Sequence, residues 1–162
     1  MDCLKALYES LGVKNITTYK QSGNVIFDSV KSDTQKLSKK IEQKIESELG
    51  FSVPVLTKTQ AEIHKIIKNN PYTKDTNVDP SKLYVTFLSA SPKKTDFKKL
   101  LDIESGTDTY HLSGAELYLH CPNGYGRTKL TNNLFERVLS LNATTRNWKS
   151  VNSLYEIAVA DR

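Results

Sequence analysis

The sequence predicts a protein of the α+β class that is built from two small halves. Apolar residues recur at helical spacing in several segments and alternate with polar residues in others. The predicted strands come in adjacent pairs joined by turns, which favours antiparallel sheets. The first half has the order helix, strand, strand, helix, strand, and the second has strand, helix, strand, strand, helix, helix. Both orders match parts of the ferredoxin-like split βαβ arrangement.

We predict three segments along the chain. Residues 1–57 form the first, ferredoxin-like half, residues 58–81 form a connecting helix and loop, and residues 82–162 form the second half. The stretch 72–81 is polar and contains Asp, Asn and Pro, so it is the best candidate for the loop between the halves.

The composition indicates a folded protein outside the membrane. With 162 residues, of which 38% are hydrophobic and 25% charged, the chain can bury a working core. No apolar run approaches the length that spans a bilayer, and the first residues lack a signal-peptide pattern. Cys3 and Cys121 are far apart, which favours reduced thiols. We therefore expect a cytoplasmic protein with no membrane partner.

The charged and metal-ligating residues exclude few partners. A net charge of +5 permits a polyanion such as nucleic acid but does not require one. His64, His111 and His120 are scattered and form no cluster with cysteine, so we predict no metal site. The sequence has neither a Walker loop nor a dinucleotide fingerprint, and we predict no cofactor.

The first half opens with a helix and a hairpin. Apolar residues at helical spacing precede Gly12, which ends the first helix. Residues 16–20 and 25–27 are rich in β-branched and aromatic side chains, and the turn 21–24 (Gln-Ser-Gly-Asn) joins them as a β-hairpin.

A second helix and a short strand follow. Ser32 or Asp33 can cap the helix at its start, and Gly50 ends it. Residues 53–57 are predicted to form a strand, and Pro54 places that strand at an edge because proline cannot donate to the ladder.

The first half lacks an element that its topology requires. A complete split βαβ unit begins with a strand in the centre of the sheet, whereas this half begins with a helix. Either residues 53–57 pair directly with 24–28, or a strand of the second half or of another chain fills the gap, or this sequence lacks a natural N-terminal strand. Unpaired strand edges promote association, so a homodimer through a sheet edge is one expectation.

The remaining elements have clear signals. Thr59 and Glu62 form a capping box at the start of the connecting helix. The elements predicted for the second half are, in order, a strand at 83–88, a helix at 92–101, strands at 109–112 and 116–120, a helix that begins at Thr131, and a last helix that begins at Trp148. We expect Trp148 to lie in the core, because it starts an apolar stripe.

The residues richest in chemistry lie in the turn after the predicted strand at residues 116–120. Gly124 and Gly126 would let the backbone approach an anion, while Arg127 and Lys129 would neutralise it. The amides at the start of the following helix would add donors. The alternative is a plain connection between strand and helix, in which Arg127 pairs with an acid such as Glu136.

Two further residues could join this site. Arg146 lies between a threonine pair and Asn147, and could bind a carboxylate or phosphate if it converges with the turn. Asn147 could instead cap the last helix. The predicted ligand-binding set is Gly124, Tyr125, Gly126, Arg127, Lys129, Arg146 and Asn147.

These residues predict a binding module for an anionic ligand that bears phosphate or carboxylate. One alternative is an enzyme acting on a small molecule at the same site, with His120 or Tyr125 transferring the proton. Cys121 is predicted to be buried and inert, and His120 to lie on the opposite face of its strand. Another alternative is a protein-association module that uses the open sheet edge.

The chain resembles a known bacterial family along nearly its whole length. The residues that carry the resemblance are L-Y-L-H-C-P-N-G-Y-G-R-T-K-L-T-N-N and A-T-T-R-N-W-K-S-V, together with L-K-A-L-Y-E-S-L-G and T-Y-K-Q-S-G-N-V-I-F upstream. They are similar to domain of unknown function 1697. The resemblance implies a two-part α+β fold with a ferredoxin-like first half, and it implies no activity.

One departure concerns the start of the chain. Members of this family typically begin with a strand and a glycine-rich turn of the type R-G-I-N-V-G, which has no counterpart in this sequence. The resemblance therefore also implies that the first strand of the first half is missing.

Overall fold

The computed structural model describes residues 2–19, 23–30 and 33–160. These residues divide into two compact units: unit 1 contains residues 1–64 and 153–162, and unit 2 contains residues 65–152. Both units combine helices with antiparallel strands, which confirms the α+β class. The predicted boundaries at residues 57 and 81 stay a prediction.

The helices and strands of the described residues are, in chain order, α1 (Asp2–Ser10), β1 (Lys14–Tyr19), β2 (Asn24–Asp28), α2 (Thr34–Leu49), α3 (Gln60–Lys68), β3 (Leu83–Leu88), α4 (Lys94–Leu101), β4 (Thr109–Ser113), β5 (Glu116–His120), α5 (Asn132–Leu139), β6 (Ala143–Asn147) and α6 (Trp148–Ala160). Short 3-10 turns occur at Pro71–Lys74, Pro80–Lys82 and Tyr125–Arg127.

Unit 1 is built on a two-stranded antiparallel sheet, in which β1 pairs with β2. This confirms the predicted hairpin, although Gln21 and Ser22 of its turn lie outside the described residues. One face of the hairpin packs on the core of α1 and α2, whose buried members are Leu7, Tyr8, Val13, Ile41 and Ile45.

The helix boundaries follow the predicted signals. The carboxylate of Asp33 accepts hydrogen bonds from the backbone N–H groups of Gln35 and Lys36, whereas Ser32 lies outside the described residues. Gly50 ends α2 at a φ of 77°, a conformation that glycine adopts without strain. Thr59 and Glu62 form the reciprocal pair of a capping box, with N···O distances of 3.0 and 3.1 Å.

The prediction of a strand at residues 53–57 is wrong. This segment has no strand pairing within the described residues, and the backbone N–H of Val55 donates to the carboxylate of Glu42 at 2.8 Å. The physical reason is the missing neighbour, because a strand needs a second strand to pair with its backbone. The sequence of the segment favours a strand, but no strand lies beside it among the described residues.

Unit 2 contains a complete ferredoxin-like arrangement. Its order is strand, helix, strand, strand, helix, strand, and its sheet has the order β4-β5-β3-β6 with all neighbours antiparallel. Only the first five of these elements were predicted from the sequence, where residues 144–147 were expected to lead into a helix. In the structure they belong to β6, which pairs with β3.

The strand β3 is buried on both faces. Thr86 and Leu88 face the core formed with α4 and α5, while Leu83, Val85 and Phe87 are buried on the other face. This explains why its sequence is almost continuously apolar. The central position of β3 brings its carboxyl and amino ends next to segments that are distant in sequence.

Candidate functional site

The glycine-rich turn follows β5 and is fixed at both ends. The N–H of Gly124 donates to the carbonyl of Cys121 at 2.9 Å, and Gly124 has a φ of 89°, which explains why glycine suits this position. At the other end, the N–H of Leu130 donates to the hydroxyl of Thr128 at 3.0 Å. Because Cys121, Thr128 and Leu130 are all buried, the turn between them has a defined position.

An aromatic contact holds the middle of the turn against the sheet. The rings of Tyr125 and Tyr84 lie with their centroids 5.0 Å apart, and Tyr84 is the second residue of β3. Tyr125 also packs against the core of unit 2 and is only partly exposed. The ring therefore anchors the short 3-10 turn Tyr125–Arg127 at one end of the sheet.

The two cations of the turn, Arg127 and Lys129, are exposed on either side of the buried Thr128. Thr128 has an extended backbone, with φ −74° and ψ 147°, so its two neighbours project away from the core on the same side. Within the described residues neither cation forms an ion pair. The expected alternative partner, Glu136, is therefore not paired with Arg127.

Gly126 leaves space above the turn. A Cβ atom added at this residue would meet nothing within 4 Å. The backbone at Gly126 is thus open to an incoming group, and Arg127 and Lys129 lie directly after it in the chain.

Arg146 does not join this pair. In β6 it lies opposite Val85, whereas Asn147 lies opposite Tyr84, so Arg146 leaves the sheet on the face away from the Tyr84–Tyr125 contact. Its guanidinium donates to the carbonyl of Thr145 at 3.0 Å, and burial lowers its pKa. Arg127 and Lys129 therefore both lie in the turn, whereas Arg146 lies on the other face of the sheet.

Asn147 acts as a helix cap, one of the two roles predicted for it. Its side-chain oxygen accepts a hydrogen bond from the N–H of Ser150 at 2.7 Å, which satisfies a donor in the first turn of α6. Trp148 was expected in the core, and this is wrong. It is partly exposed and belongs to neither buried cluster, whereas Val151, three residues later, is buried.

The groups named for proton transfer, His120 and Tyr125, lie on opposite faces of the sheet. His120 lies opposite Leu83 in the pairing of β3 with β5, so it faces away from Tyr84 and Tyr125. Its ring contacts Tyr72, with centroids 5.7 Å apart. Cys121 is fully buried, as predicted, and burial raises the pKa of its thiol. His120 and Tyr125 therefore do not form a pair of reactive groups at the turn, as the enzyme alternative would require.

A chain of polar contacts between β3, β6 and the start of α5 was not predicted from the sequence. The hydroxyls of Thr86 and Thr145 lie 2.7 Å apart, and the hydroxyl of Thr145 lies 2.6 Å from the side-chain oxygen of Asn132. These bonds tie β3 and β6 to the start of α5. The signal that could have found them is the β-branched pair Thr144-Thr145, which is typical of a strand.

Neither a metal site nor a membrane span occurs in the part of the chain that is described. No group of three or more His, Cys, Asp or Glu side chains there could hold a metal ion. No helix among the same residues has both the length and the apolar character needed to cross a membrane.

These features define an α+β protein with one complete ferredoxin-like unit and a basic, glycine-containing turn at one end of its sheet. The chain belongs to the family described as protein of unknown function (DUF1697), whose sequence profile matches residues 1–118. The match ends within β5, so the turn and the residues 119–151 that carried much of the sequence resemblance lie beyond it.

A solved structure has a similar fold. The conserved bacterial protein SP0830 from Streptococcus pneumoniae is 17% identical to this chain, with a TM-score of 0.68. The alignment covers 98% of this chain and 88% of that chain. At this identity the similarity shows the fold alone. A search of curated proteins finds none that matches the chain.

Proposed function

We propose that this protein is a binding module that takes an anionic group, a phosphate or a carboxylate, at the turn formed by residues 123–129. The observation that carries the proposal is the pair Arg127 and Lys129, which are exposed on one side of a turn anchored by buried residues. Two cations held at a fixed position attract an anion more strongly than cations on mobile chains, because less freedom is lost on binding.

The backbone supports the same chemistry. The open space at Gly126 lets a phosphate or carboxylate oxygen approach the main-chain N–H groups of the turn. The fork of Arg127 suits bidentate contact with such an oxygen pair, and Lys129 adds a point charge beside it. Tyr125 and Gly124 hold the shape of the turn and need not touch the ligand.

The proposal is tested by removing both charges without changing the size of the side chains greatly. In the double variant Arg127→Gln and Lys129→Gln, we expect binding of inorganic phosphate and of a short single-stranded oligonucleotide to weaken by about tenfold or more, since charged hydrogen bonds contribute about 1.5–3 kcal/mol each. Isothermal titration calorimetry at low salt measures both ligands on the full chain.

A matched control uses two exposed lysines elsewhere in unit 2. The variant Lys93→Gln and Lys94→Gln makes the same change in net charge, and we expect it to bind as the unmodified protein does. Equal losses in the two double variants would mean that only the overall charge matters, and the proposal would fail. A wild-type protein that binds neither ligand would also refute it.

A further inference from the structure

Two tyrosine rings lie beside the proposed anion site, at the same end of the sheet of unit 2. Tyr125 begins the short turn that carries Arg127, and its ring centroid lies 5.0 Å from that of Tyr84. The two ring planes are inclined by 31°, so the rings pack partly face to face. Both residues are partly exposed. This ring pair of Tyr84 and Tyr125 therefore adds an aromatic surface next to the cations of the turn.

The hydroxyl groups of the ring pair differ from that of Tyr118, which donates to the carbonyl of Ile66 at 2.8 Å. Within the described residues the hydroxyls of Tyr84 and Tyr125 make no hydrogen bond. The one buried side-chain nitrogen or oxygen that lacks a partner in the same residues is the amide nitrogen of Asn70. Both hydroxyls of the ring pair are therefore exposed to solvent and can bind a ligand.

An amide donor lies beside the ring pair. Asn147 of β6 pairs with Tyr84 of β3, so both side chains leave the sheet on the same face, with Cβ atoms about 5 Å apart. The side-chain oxygen of Asn147 caps α6 by accepting from the N–H of Ser150. Its NH2 group makes no hydrogen bond among the residues that the structure describes, and Asn147 is exposed. This NH2 group can therefore donate to a ligand.

The ring pair and the cations of the turn are joined by a short piece of chain. Tyr125 and Arg127 are two residues apart, so their Cα atoms are separated by at most about 7 Å. Lys129 follows two residues later and is exposed on the same side of Thr128 as Arg127. This end of the sheet thus combines two positive charges, an aromatic surface and neutral hydrogen-bonding groups.

We propose that the ligand of this site is a nucleotide. Its phosphate binds at Arg127 and Lys129, and its base lies against the exposed part of the ring pair. The inference rests on the proposed function, since it takes the anion site as the place of the phosphate. Amino and carbonyl groups on the base exchange hydrogen bonds with the two tyrosine hydroxyls and with the NH2 group of Asn147. The flat face of any base can stack on an aromatic side chain, so the rings select a nucleotide without selecting one base.

Charge favours a phosphate over a carboxylate at this site. Arg127 and Lys129 carry two positive charges, and no acidic side chain of the described residues pairs with either of them. A phosphate monoester carries a charge of about −1.5 to −2 at pH 7, so it balances both cations, whereas a carboxylate carries a single charge. The phosphate comes either from a free nucleotide or from a single strand of nucleic acid, in which each phosphate carries one charge and the nucleotides repeat.

Four probes separate the base from the phosphate: inorganic phosphate, ribose 5-phosphate, adenosine monophosphate and a short single strand of deoxyadenosine nucleotides. Isothermal titration calorimetry of the full chain at low salt measures each dissociation constant. We expect adenosine monophosphate to bind about tenfold more tightly than ribose 5-phosphate, because stacking of a base on an aromatic side chain contributes about that factor. A single strand that binds more tightly than adenosine monophosphate would identify nucleic acid as the source of the nucleotide. A single strand that binds no more tightly would identify the free nucleotide, and both results support the proposal.

Two substitutions of Tyr125 distinguish its ring from its apolar packing. Tyr125→Leu keeps an apolar side chain on the core of unit 2 but removes the ring, so the tenfold preference for adenosine monophosphate over ribose 5-phosphate should be lost. Tyr125→Phe keeps the ring and should restore most of the preference. The matched control is Tyr110→Leu, because Tyr110 packs on the same core but its ring contacts Phe97, and this variant should keep the full preference.

A substitution outside the turn tests the base without altering the shape of the turn. In Asn147→Ser the helix α6 keeps a favourable cap, because serine also accepts hydrogen bonds at this position, while the NH2 donor is removed. We expect the preference for adenosine monophosphate over ribose 5-phosphate to fall about threefold, as for the loss of one neutral hydrogen bond.

The outcomes distinguish failure of this inference from failure of the proposed function. Equal affinities for adenosine monophosphate and ribose 5-phosphate, with phosphate still bound, would overturn the nucleotide inference and leave the anion site standing. A preference that Tyr125→Leu does not reduce, or that Tyr110→Leu reduces equally, would also overturn the inference. Binding of none of the four probes would refute the proposed function and the nucleotide inference together.

Discussion

Among the described residues, unit 2 contains a four-stranded sheet and unit 1 a two-stranded hairpin, and the buried core is larger in unit 2. In unit 2, β3 pairs on both sides, and nine buried residues form one core beneath it. In unit 1 the described residues contain only a hairpin, and the buried core has five members. In unit 2, β3 pairs with the hairpin strand β5 on one side and with β6 on the other. In unit 1 no described strand pairs with the other edge of β2, and residues 53–57 form no strand.

The segment 53–57 shows this most clearly. Its sequence, Val-Pro-Val-Leu-Thr, has the β-branched residues of a strand, yet its backbone has no strand neighbour among the described residues. In unit 2 the corresponding sequence, Ala-Thr-Thr-Arg-Asn, has two β-branched residues where residues 53–57 have three, and it forms β6 beside β3. The presence of a neighbour therefore decides between strand and irregular chain more strongly than local propensity does.

The largest expected effect comes from truncating the two cores. Phe135→Ala in unit 2 should lower the free energy of unfolding by about 3–5 kcal/mol, because Phe135 is fully buried and the packed core cannot collapse around the cavity. Ile41→Ala in unit 1 should lower it by about 2 kcal/mol, near the lower end for such a change, because a smaller core relaxes more readily.

Urea denaturation measures the two variants separately. Trp148 is the only tryptophan and belongs to unit 2, so its fluorescence follows that unit, while amide exchange in α2 follows unit 1. A larger loss of unfolding free energy for Ile41→Ala than for Phe135→Ala would contradict the expectation that the core of unit 2 contributes more to stability than the core of unit 1.

The next effect is a loss of stability at high pH, to which Tyr8 of unit 1 and Tyr118 of unit 2 contribute alongside Tyr72 and Tyr110, whose pKa values burial also raises. Burial raises the pKa of Tyr8 in unit 1 from 10.0 to about 12, and burial together with the charge of Glu116 raises that of Tyr118 in unit 2 to about 12. Because the pKa of each hydroxyl is higher in the folded state, the free energy of unfolding is fully retained below pH 10 and decreases as the pH rises toward 12. Tyr8 and Tyr118 should each lower the free energy of unfolding by about 2–3 kcal/mol over that range.

Substitution by phenylalanine separates the two contributions. Tyr118→Phe should remove the part of the loss between pH 10 and 12 that Tyr118 contributes, and should cost about 1 kcal/mol at neutral pH because it deletes the hydrogen bond to the carbonyl of Ile66. Tyr8→Phe should remove a similar part. A pH dependence that neither variant changes would contradict this assignment.

The smallest effect concerns the helix caps, where the two units should behave alike. Asp33 caps α2 in unit 1 and Thr131 caps α5 in unit 2, and both residues are exposed. Asp33→Ala and Thr131→Ala should each lower the free energy of unfolding by about 1 kcal/mol. The same urea titrations measure this. Effects that differ by more than about twofold would show that capping depends on the completeness of the sheet, since caps normally act locally.

Local signals in the sequence were sufficient to predict most helices and strands. Gly50, Asp33, Thr131 and the Thr59–Glu62 pair mark helix ends through contacts with residues close in the chain, and the structure contains each of these contacts. The hairpins could be predicted for the same reason, because their turns lie between their strands.

Features that depend on distant partners could not be predicted in this way. The strand β6 depends on β3, which is more than 50 residues away. The candidate site shows the same limit. The sequence placed Arg127, Lys129 and Arg146 in one group, but the register of β6 against β3 determines that Arg146 lies on the other face.

The most direct test of the difference between the units is amide hydrogen exchange in the free protein. If β3 is central and β2 has an open edge, the amides of β3 should all exchange slowly. In β2, residues 25–27 should divide into slow amides that face β1 and fast amides that face away, with rates differing by about 100-fold or more. Uniform protection along residues 25–27 in the monomer would contradict the account, because it would show that β2 already has a strand on each side.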